Sequence, residues 1–344
     1  MLKILIVTRH FKANEIGGGA QKSIELLVSE LSKIYHVEVL CKITNEQTEW
    51  IHKLEFKFLK RISSYDIVYL NSFFSPLSIF FLFLNSTKVI SPKGELFPGA
   101  LKVKNLKKQM WIYFFNKFFK GKLIFHATST EEKNIIEKYI YPQRTIIAPD
   151  IVAINMADSK PVDNIILKIV YISRIDPKKN LLFCVNILSK VKRQVVFNIY
   201  GNIGDKKYFE KCISSLKKLP PNINWKYYGQ LNPSLVSSTF LQNDLFFFPT
   251  LGENFGYIIL ESLSSYCPVL LSKGLTIFDD LDKFKIGSNI DLAKHMDWVK
   301  FIEGYDLIEN QETLERFKKY ICNKFDNNKI LKLNQNLFNE VLKK

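Results

Sequence analysis

The stretch DLFFFPTLGENFGYIILESLSSYCPVLLS, residues 244–272, decides how the chain folds. Its opening, DLFFFPT, is apolar at every position from Leu245 to Phe248 and reads as a strand buried on both faces. An acidic loop follows, then a mostly apolar helix over 255–266, then a second apolar strand in PVLLS. Near-continuous apolar strands separated by helices imply a parallel sheet covered on both sides. Packing leaves one thing unexplained: Glu253 and Glu261 stand eight positions apart, one before the helix and one inside it.

The same alternation extends in both directions. In the amino-terminal part, strands are expected at LKILIV (2–7), HVEVLCKI, DIVYLNSF (66–73), TKVISPKG (87–94), KLIFHATS (122–129) and RTIIAP. Helices are expected over 18–35, PLSIFFLFLN, 101–120 and TEEKNIIEKYI, the last with Thr130 as its N-cap. A polar stretch at 156–164 separates this run from a second one. That run comprises LKIVYISR, a helix over NLLFCVNILSKVK, VVFNIYG, a helix over KYFEKCISSLKKL, INWKYYG, PSLVSSTFLQN and the opening stretch. A chain of 344 residues suits two domains of about 150 residues each. The expected fold is therefore α/β, with two doubly wound Rossmann-like domains facing across a cleft. The expected boundaries are an amino-terminal domain over 1–155, a linker over 156–164, a carboxy-terminal domain over 165–300, and terminal helices over 301–344.

Composition excludes several classes. With 47% hydrophobic and 24% charged residues the chain is globular rather than disordered. Five scattered cysteines without a CxxC argue against a disulfide frame or a zinc site and for a reducing compartment. MLKILIVTRH reads as a first strand, not a signal peptide. The longest apolar run, Leu77 to Leu84, is far short of the roughly 20 residues a membrane span needs. A cytoplasmic protein is expected. The formal charge of +16 invites nucleic acid or an anionic membrane, but a Lys-, Asn-, Ile- and Phe-rich composition also produces it without functional demand.

Ligands of open parallel sheets bind beyond the carboxyl ends of the strands. Gly17-Gly18-Gly19-Ala20, between the first strand and first helix, permits close backbone approach to a phosphate. As a dinucleotide fingerprint it fails, because Lys22 stands where the third glycine belongs. In ISRIDPKKNLL (172–182), Arg174 ends a strand and Lys179 precedes a helix, a spacing that suits two faces of one diphosphate or an ordinary basic loop. Past DLFFFPT, Glu253 lies where ligands bind, and Phe255 and Gly256 begin a helix whose free N–H groups favour an anion. Glu261 accepts two hydrogen bonds and so matches a vicinal diol such as that of ribose. The plain alternatives are an acidic residue favoured by the helix dipole and a solvent-facing glutamate. Asp280-Leu281-Asp282 has the form of a metal-and-diphosphate motif but falls in a loop or short helix rather than at a strand end.

These pieces acquire a common meaning through a resemblance. E-N-F-G-Y-x3-E-x-L followed by C-P-V-L resembles the E-x7-E region of retaining glycosyltransferases of family 4, which have the GT-B fold. GGAQ after the first strand, S-R-I-x3-K-N, YYG and FFFPT follow in that family's order. SPKGELFPGALKVKNLKK and FHATSTEE resemble blocks of bacterial members that build cell-surface polysaccharides such as capsule and lipopolysaccharide. The likeness covers roughly 1–285. It departs from the family at A-P-D (148–150), at Asn254 and at Tyr266, where glycine-containing patterns are usual.

The resemblance implies transfer of a hexose-type sugar, with retention, from a nucleotide-diphosphate sugar, by default UDP, to a saccharide acceptor, lipid-linked or free. No cofactor and no metal are implied. Arg174 and Lys179 would hold the diphosphate, Glu261 the ribose and Glu253 the donor sugar. Gly18, Gly19, Asn254, Phe255, Gly256 and Tyr257 would complete the donor site, and His10, Lys93 and His126 are candidates on the acceptor side. Residues 101–122 hold seven lysines and no acid, interleaved with aromatic residues, which suits an anionic membrane surface or a helix packed by its aromatics. A peripheral position at the inner membrane face follows from the first reading. Two alternatives remain: a nucleotide-sugar epimerase or hydrolase of the same build, and a basic nucleic-acid-binding protein. The second lacks any RNA-binding or helix-turn-helix motif, and no nucleic-acid partner is expected.

Overall fold

The computed structural model describes residues 1–11, 18–44, 51–53, 62–102, 105–160, 166–253, 255–274, 277–305 and 311–342. The chain divides into two compact units, Met1–Ala153 together with Phe325–Lys344, and Ile154–Lys324. The division leaves the end of the chain, including the helix Asn327–Leu342, with the first unit.

The first unit holds a seven-stranded sheet in the order β3-β2-β1-β4-β5-β6-β7. Its strands are β1 (Lys3–His10), β2 (His36–Ile43), β3 (Ile51–Lys53), β4 (Ile67–Leu70), β5 (Lys88–Ile90), β6 (Ile124–Ala127) and β7 (Arg144–Ile147). All pairings are parallel, with Leu5 opposite Glu38 on one side and Val68 on the other. Ile4, Leu5, Ile6 and Val7 are all fully buried, so both faces of β1 are covered. That is why its sequence runs apolar without alternation. β1 continues through His10, three residues beyond the apolar run, because its pairing with β2 extends to Ile43. The helix expected at 130 starts where predicted, but Ser129 is the cap: its side chain accepts from the Glu132 amide at 3.1 Å. The basic segment forms two helices, Pro98–Lys102 and Asn105–Phe119.

The second unit holds a six-stranded parallel sheet in the order β10-β9-β8-β11-β12-β13. Here β8 is Leu167–Ile172, β9 Val195–Tyr200, β10 Ile223–Tyr227, β11 Leu245–Phe248, β12 Val269–Ser272 and β13 Gly287–Ile290. The opening stretch is a βαβ unit as read: β11, the helix Tyr257–Ser264, then β12 pairing parallel to β11. All four residues of β11 are buried. Both units are doubly wound and Rossmann-like. In each, the first three strands run outward one way and the remainder the other, placing a topological switch between β1 and β4 and between β8 and β11. Crevices at such switches, at the carboxyl ends of the strands, are where doubly wound sheets bind ligands.

Candidate active site

The switch in the second unit brings together the two stretches singled out in sequence. Arg174 and Lys179 follow β8, Glu253 follows β11, and these strands are neighbours in the sheet. The loops are tied to each other: the Leu251 amide donates to the Lys178 carbonyl at 2.8 Å, and Asn180 Nδ2 donates to the Pro249 carbonyl at 3.0 Å. Asn180 adopts a left-handed conformation (φ 61°) to start the helix Leu181–Leu188. The result is an ion pair between Lys179 Nζ and Glu253 Oε1, residues 74 positions apart in sequence. Burial, then the neighbouring Lys178, pushes the Lys179 ammonium down to about 7 against the opposing pull of Asp176. Contact with Glu253 favours the charged form. Lys179 Nζ also lies 5.4 Å from the centre of the Phe248 ring.

Arg174 is oriented by residues that sequence reading passed over. Its Nε donates to Asp176 Oδ2 at 2.6 Å, and Asp176 Oδ1 accepts from the Lys179 amide at 3.1 Å. One carboxylate therefore holds the Arg174 guanidinium and anchors the Lys179 backbone. The aliphatic stem of Arg174 lies on Gly204, where a Cβ would come within 2.9 Å of it. The available signals were the acid inside R-I-D-P-K-K-N and the first glycine after VVFNIYG. Only Nε is engaged by Asp176, and the guanidinium remains more than half exposed.

The helix behind Glu253 is shorter than read, Tyr257–Ser264, with Gly256 as its N-cap in the left-handed region (φ 82°). A side chain there is strained by the backbone, and a Cβ would meet Ile259 Cδ1 at 2.8 Å. The backbone conformation is what favours glycine here, since the Ile259 methyl can turn aside. Phe255 is buried, packing 4.4 Å from the Tyr257 ring and edge-on to Phe278 at 6.3 Å. Its part is to fix the helix entry. Glu261 sits in the second turn, partly exposed. Asn254 lies outside the described residues.

The remaining candidates fall in the first unit. Gly18 and Gly19 open the helix Gly18–Leu31, beyond β1. His10 lines a cavity at the carboxyl ends of β1 and β4. Lys93 and His126 do not line it; both are buried. Lys93 pairs with Asp150. His126 is fully enclosed, with Nδ1 2.7 Å from the Tyr69 hydroxyl and Nε2 2.7 Å from the Ala148 carbonyl. Asp150 belongs to the A-P-D departure, and it neutralises Lys93.

Both carboxylates of the D-x-D are engaged within the second unit. Asp280 accepts from the Tyr320 hydroxyl at 2.6 Å and from Lys324, and Asp282 accepts from Ser288 Oγ and the Asn289 amide. No group of His, Cys, Asp and Glu suited to a metal occurs among the described residues. All five cysteines are free.

On Asn105–Phe119 the aromatic residues divide. Trp111, Phe115 and Phe119 join the core of the first unit, whereas Leu106, Met110, Tyr113, Phe114 and Phe118 are exposed. Phe80 and Phe83 of the preceding helical segment are exposed as well, and Phe83 meets Phe119 at 5.6 Å. No helix among the described residues is long and apolar enough to cross a membrane.

Residues 159–324 match the family of glycosyl transferases group 1. No curated protein sequence matches the chain. Among solved structures, HepE of Anabaena in complex with UDP and glucose superposes with a TM-score of 0.71 at 16% identity, covering 99% of both chains. A TarM mutant of S. aureus, in complex with fondaparinux, alpha-GlcNAc-glycerol and UDP, gives 0.71 at 14% identity over 98% of this chain and 100% of that one. WaaG, a glycosyltransferase involved in lipopolysaccharide biosynthesis, gives 0.70 at 11% identity over 98% and 99%. At such identities the likeness is one of fold. The group 1 match over the second unit, joined to two Rossmann-like domains of the GT-B fold, supports a GT-B glycosyltransferase.

Proposed function

We propose that the chain moves a hexose-type sugar from a nucleoside-diphosphate sugar, with UDP the first choice, to a saccharide acceptor. Transfer proceeds with retention, in the manner of family 4, without a metal ion, in the making of a cell-surface polysaccharide. The observation that carries this reading is the Lys179–Glu253 pair at the β8/β11 switch, with Arg174 held beside it. Departure of a nucleoside diphosphate builds negative charge on its phosphate oxygens. Arg174, Lys179 and the helix end at Gly256 form a preorganised positive environment for that charge. Lys179 then exchanges Glu253 for phosphate, and the released carboxylate accepts hydrogen bonds from donor-sugar hydroxyls. Glu261 receives the ribose diol. Complexes of HepE and TarM with UDP favour uracil as the base.

The test is a thermal-shift panel of UDP, GDP, ADP, CMP and NAD in EDTA, on wild type and Glu261→Ala. A ligand at 100 times its dissociation constant stabilises by about 2.7 kcal/mol. UDP is expected to shift the wild type and to lose most of that shift in the variant. A panel in which no nucleoside diphosphate acts, or NAD alone does, overturns the reading.

The exposed aromatic and basic face of Asn105–Phe119 supports a peripheral position on an anionic membrane, at its cytoplasmic side, where a lipid-linked acceptor is available. Each lysine near such a surface contributes up to about 1 kcal/mol. Wild type is expected to sediment with phosphatidylglycerol vesicles and not with phosphatidylcholine, and Phe114→Ser/Phe118→Ser to stay in solution. Equal recovery from both lipids would remove the membrane from the proposal.

A further inference from the structure

The switch in the first unit carries a cavity of about 750 Å³, lined by the ends of β1 and β4 and by Asn105–Phe119. That size lies within the usual range for small-molecule sites. Its charge is lopsided. Arg9, Lys42, Lys107 and Lys108 line it, and Glu95 is the carboxylate among the lining residues. Glu95 is already committed: it accepts from the Ser72 hydroxyl at 2.7 Å and from the amides of Phe73 and Phe74 at 2.6 and 3.1 Å. Lys108 is turned to the Ala100 carbonyl and the face of Phe74. Arg9, Lys42 and Lys107 are exposed and have no ion-pair partner among the described residues. Three unpaired cations therefore line one crevice in excess over its one lining carboxylate, Glu95.

His10, Asn71 and Trp111 also line the cavity, but His10 Nδ1, Asn71 Oδ1 and Trp111 Nε1, which have no hydrogen-bond partner among the described residues, are themselves sealed from solvent behind its wall. Trp111 adds an indole ring, anchored against Phe73 and Phe115 at 6.2 and 6.0 Å, of the kind that packs on the apolar face of a pyranose.

We propose that this cavity binds a saccharide bearing an oxyanion, phosphate or carboxylate, with Arg9, Lys42 and Lys107 on the charge and the Trp111 ring on the sugar. On the reading given above, and resting on it, this saccharide is the acceptor end, so the enzyme adds sugar to a negatively charged glycan. The helix that supplies Lys107 and Trp111 also carries the exposed aromatic residues Tyr113, Phe114 and Phe118, which links an acidic acceptor to the proposed membrane surface.

The test is a calorimetric titration of the full chain with glucose 6-phosphate, glucuronate, methyl α-glucoside and inorganic phosphate, with UDP titrated separately on the same preparation. The two charged sugars are expected to bind at least tenfold tighter than the neutral glucoside and than inorganic phosphate, and the tighter of them names the oxyanion. The variant Arg9→Gln/Lys42→Gln/Lys107→Gln, confined to exposed side chains, is expected to lose that preference. Trp111→Phe is expected to weaken both charged sugars and leave phosphate unchanged. Equal binding of neutral and charged sugars, or a preference that survives the triple variant, overturns the inference. If UDP binds and charged sugars do not, the inference alone falls. If charged sugars bind and UDP does not, the glycosyltransferase reading falls and the cavity remains an anionic-sugar site.

Discussion

Lys93 pairs with Asp150 in the first unit and Lys179 with Glu253 in the second, each among loops that follow parallel strands. The side chains of the first pair are 8% and 4% exposed, and those of the second 17% and 15%. Burial works against the charge on Lys93, yet Asp150 overrides it and holds the ammonium above the ordinary lysine value. Burial likewise works against the Asp150 carboxylate, and Lys93 holds it below the usual range. For Lys179, burial and then the Lys178 charge push toward about 7, while Asp176 and the contact with Glu253 favour the charged form. The same two chemical groups thus serve different ends. The first pair is closed, with its charges matched. The second sits in a surplus of positive charge from Lys178 and Arg174, and an incoming dianion improves its balance.

The largest effect is expected from breaking the closed pair. Lys93→Ala leaves Asp150 buried without its cation, and removing one partner of such a pair costs about 3–5 kcal/mol. Urea unfolding should show that loss, with a smaller one in Lys93→Met/Asp150→Leu, where neither charge remains. Single variants within about 1 kcal/mol of wild type would mean that the pair is not closed. The open pair should respond in function instead. Lys179→Ala removes a cation that would stabilise the departing diphosphate, and the loss of one such group lowers the rate by about 10²–10³-fold. Its urea midpoint should move less than that of Lys93→Ala, because the carboxylate left behind, Glu253, is more exposed than Asp150. A variant that unfolds early while transferring sugar at the normal rate would reverse the roles assigned to the two pairs.

The strands and the charges of the open pair were legible in the sequence, and the reasons are local. Strands such as β1 and β11 are apolar throughout because both faces are covered, so a buried parallel strand announces itself. Arg174, Lys179 and Glu253 stood out as charges at apolar strand ends, which is where doubly wound sheets bind ligands. What sequence did not reveal was who pairs with whom. That Asp176 orients Arg174, or that Asp150 neutralises Lys93 across 57 positions, depends on strand order, which no local pattern encodes. β3 was missed because three residues carry no periodicity. His10 was placed past its strand because register with β2, not hydrophobicity, holds it there. The polar lining of the first cavity comes from β1, β2, the loop after β4 and a distant helix, and it becomes a unit only on folding.

The closed network offers one more way to sharpen the comparison, with pH as the probe. His126 lies fully buried within it, and burial, then the Lys93 charge, lowers its pKa from 6.5 to about 4. The Ala148 carbonyl can only accept, so Nε2 carries the hydrogen and Nδ1 accepts from the Tyr69 hydroxyl. A neutral ring satisfies both bonds. Between pH 6.5 and about 4 the unfolded chain binds a proton that the folded chain refuses, so stability is intact above the upper value and falls as pH drops through the window. At about 1.4 kcal/mol per pKa unit the loss reaches about 3–4 kcal/mol at most. His126→Gln keeps a donor for Ala148 and an acceptor for Tyr69 but does not titrate, so its urea midpoint should be flatter across that window. In Lys93→Met/Asp150→Leu the Lys93 charge that lowers the pKa and the Asp150 charge that raises it both go, so the fall should still begin near 6.5, with burial left as the main cause of the shift. Parallel slopes in wild type and His126→Gln would show that the histidine takes no part, and that the closed network is held by the Lys93–Asp150 pair alone.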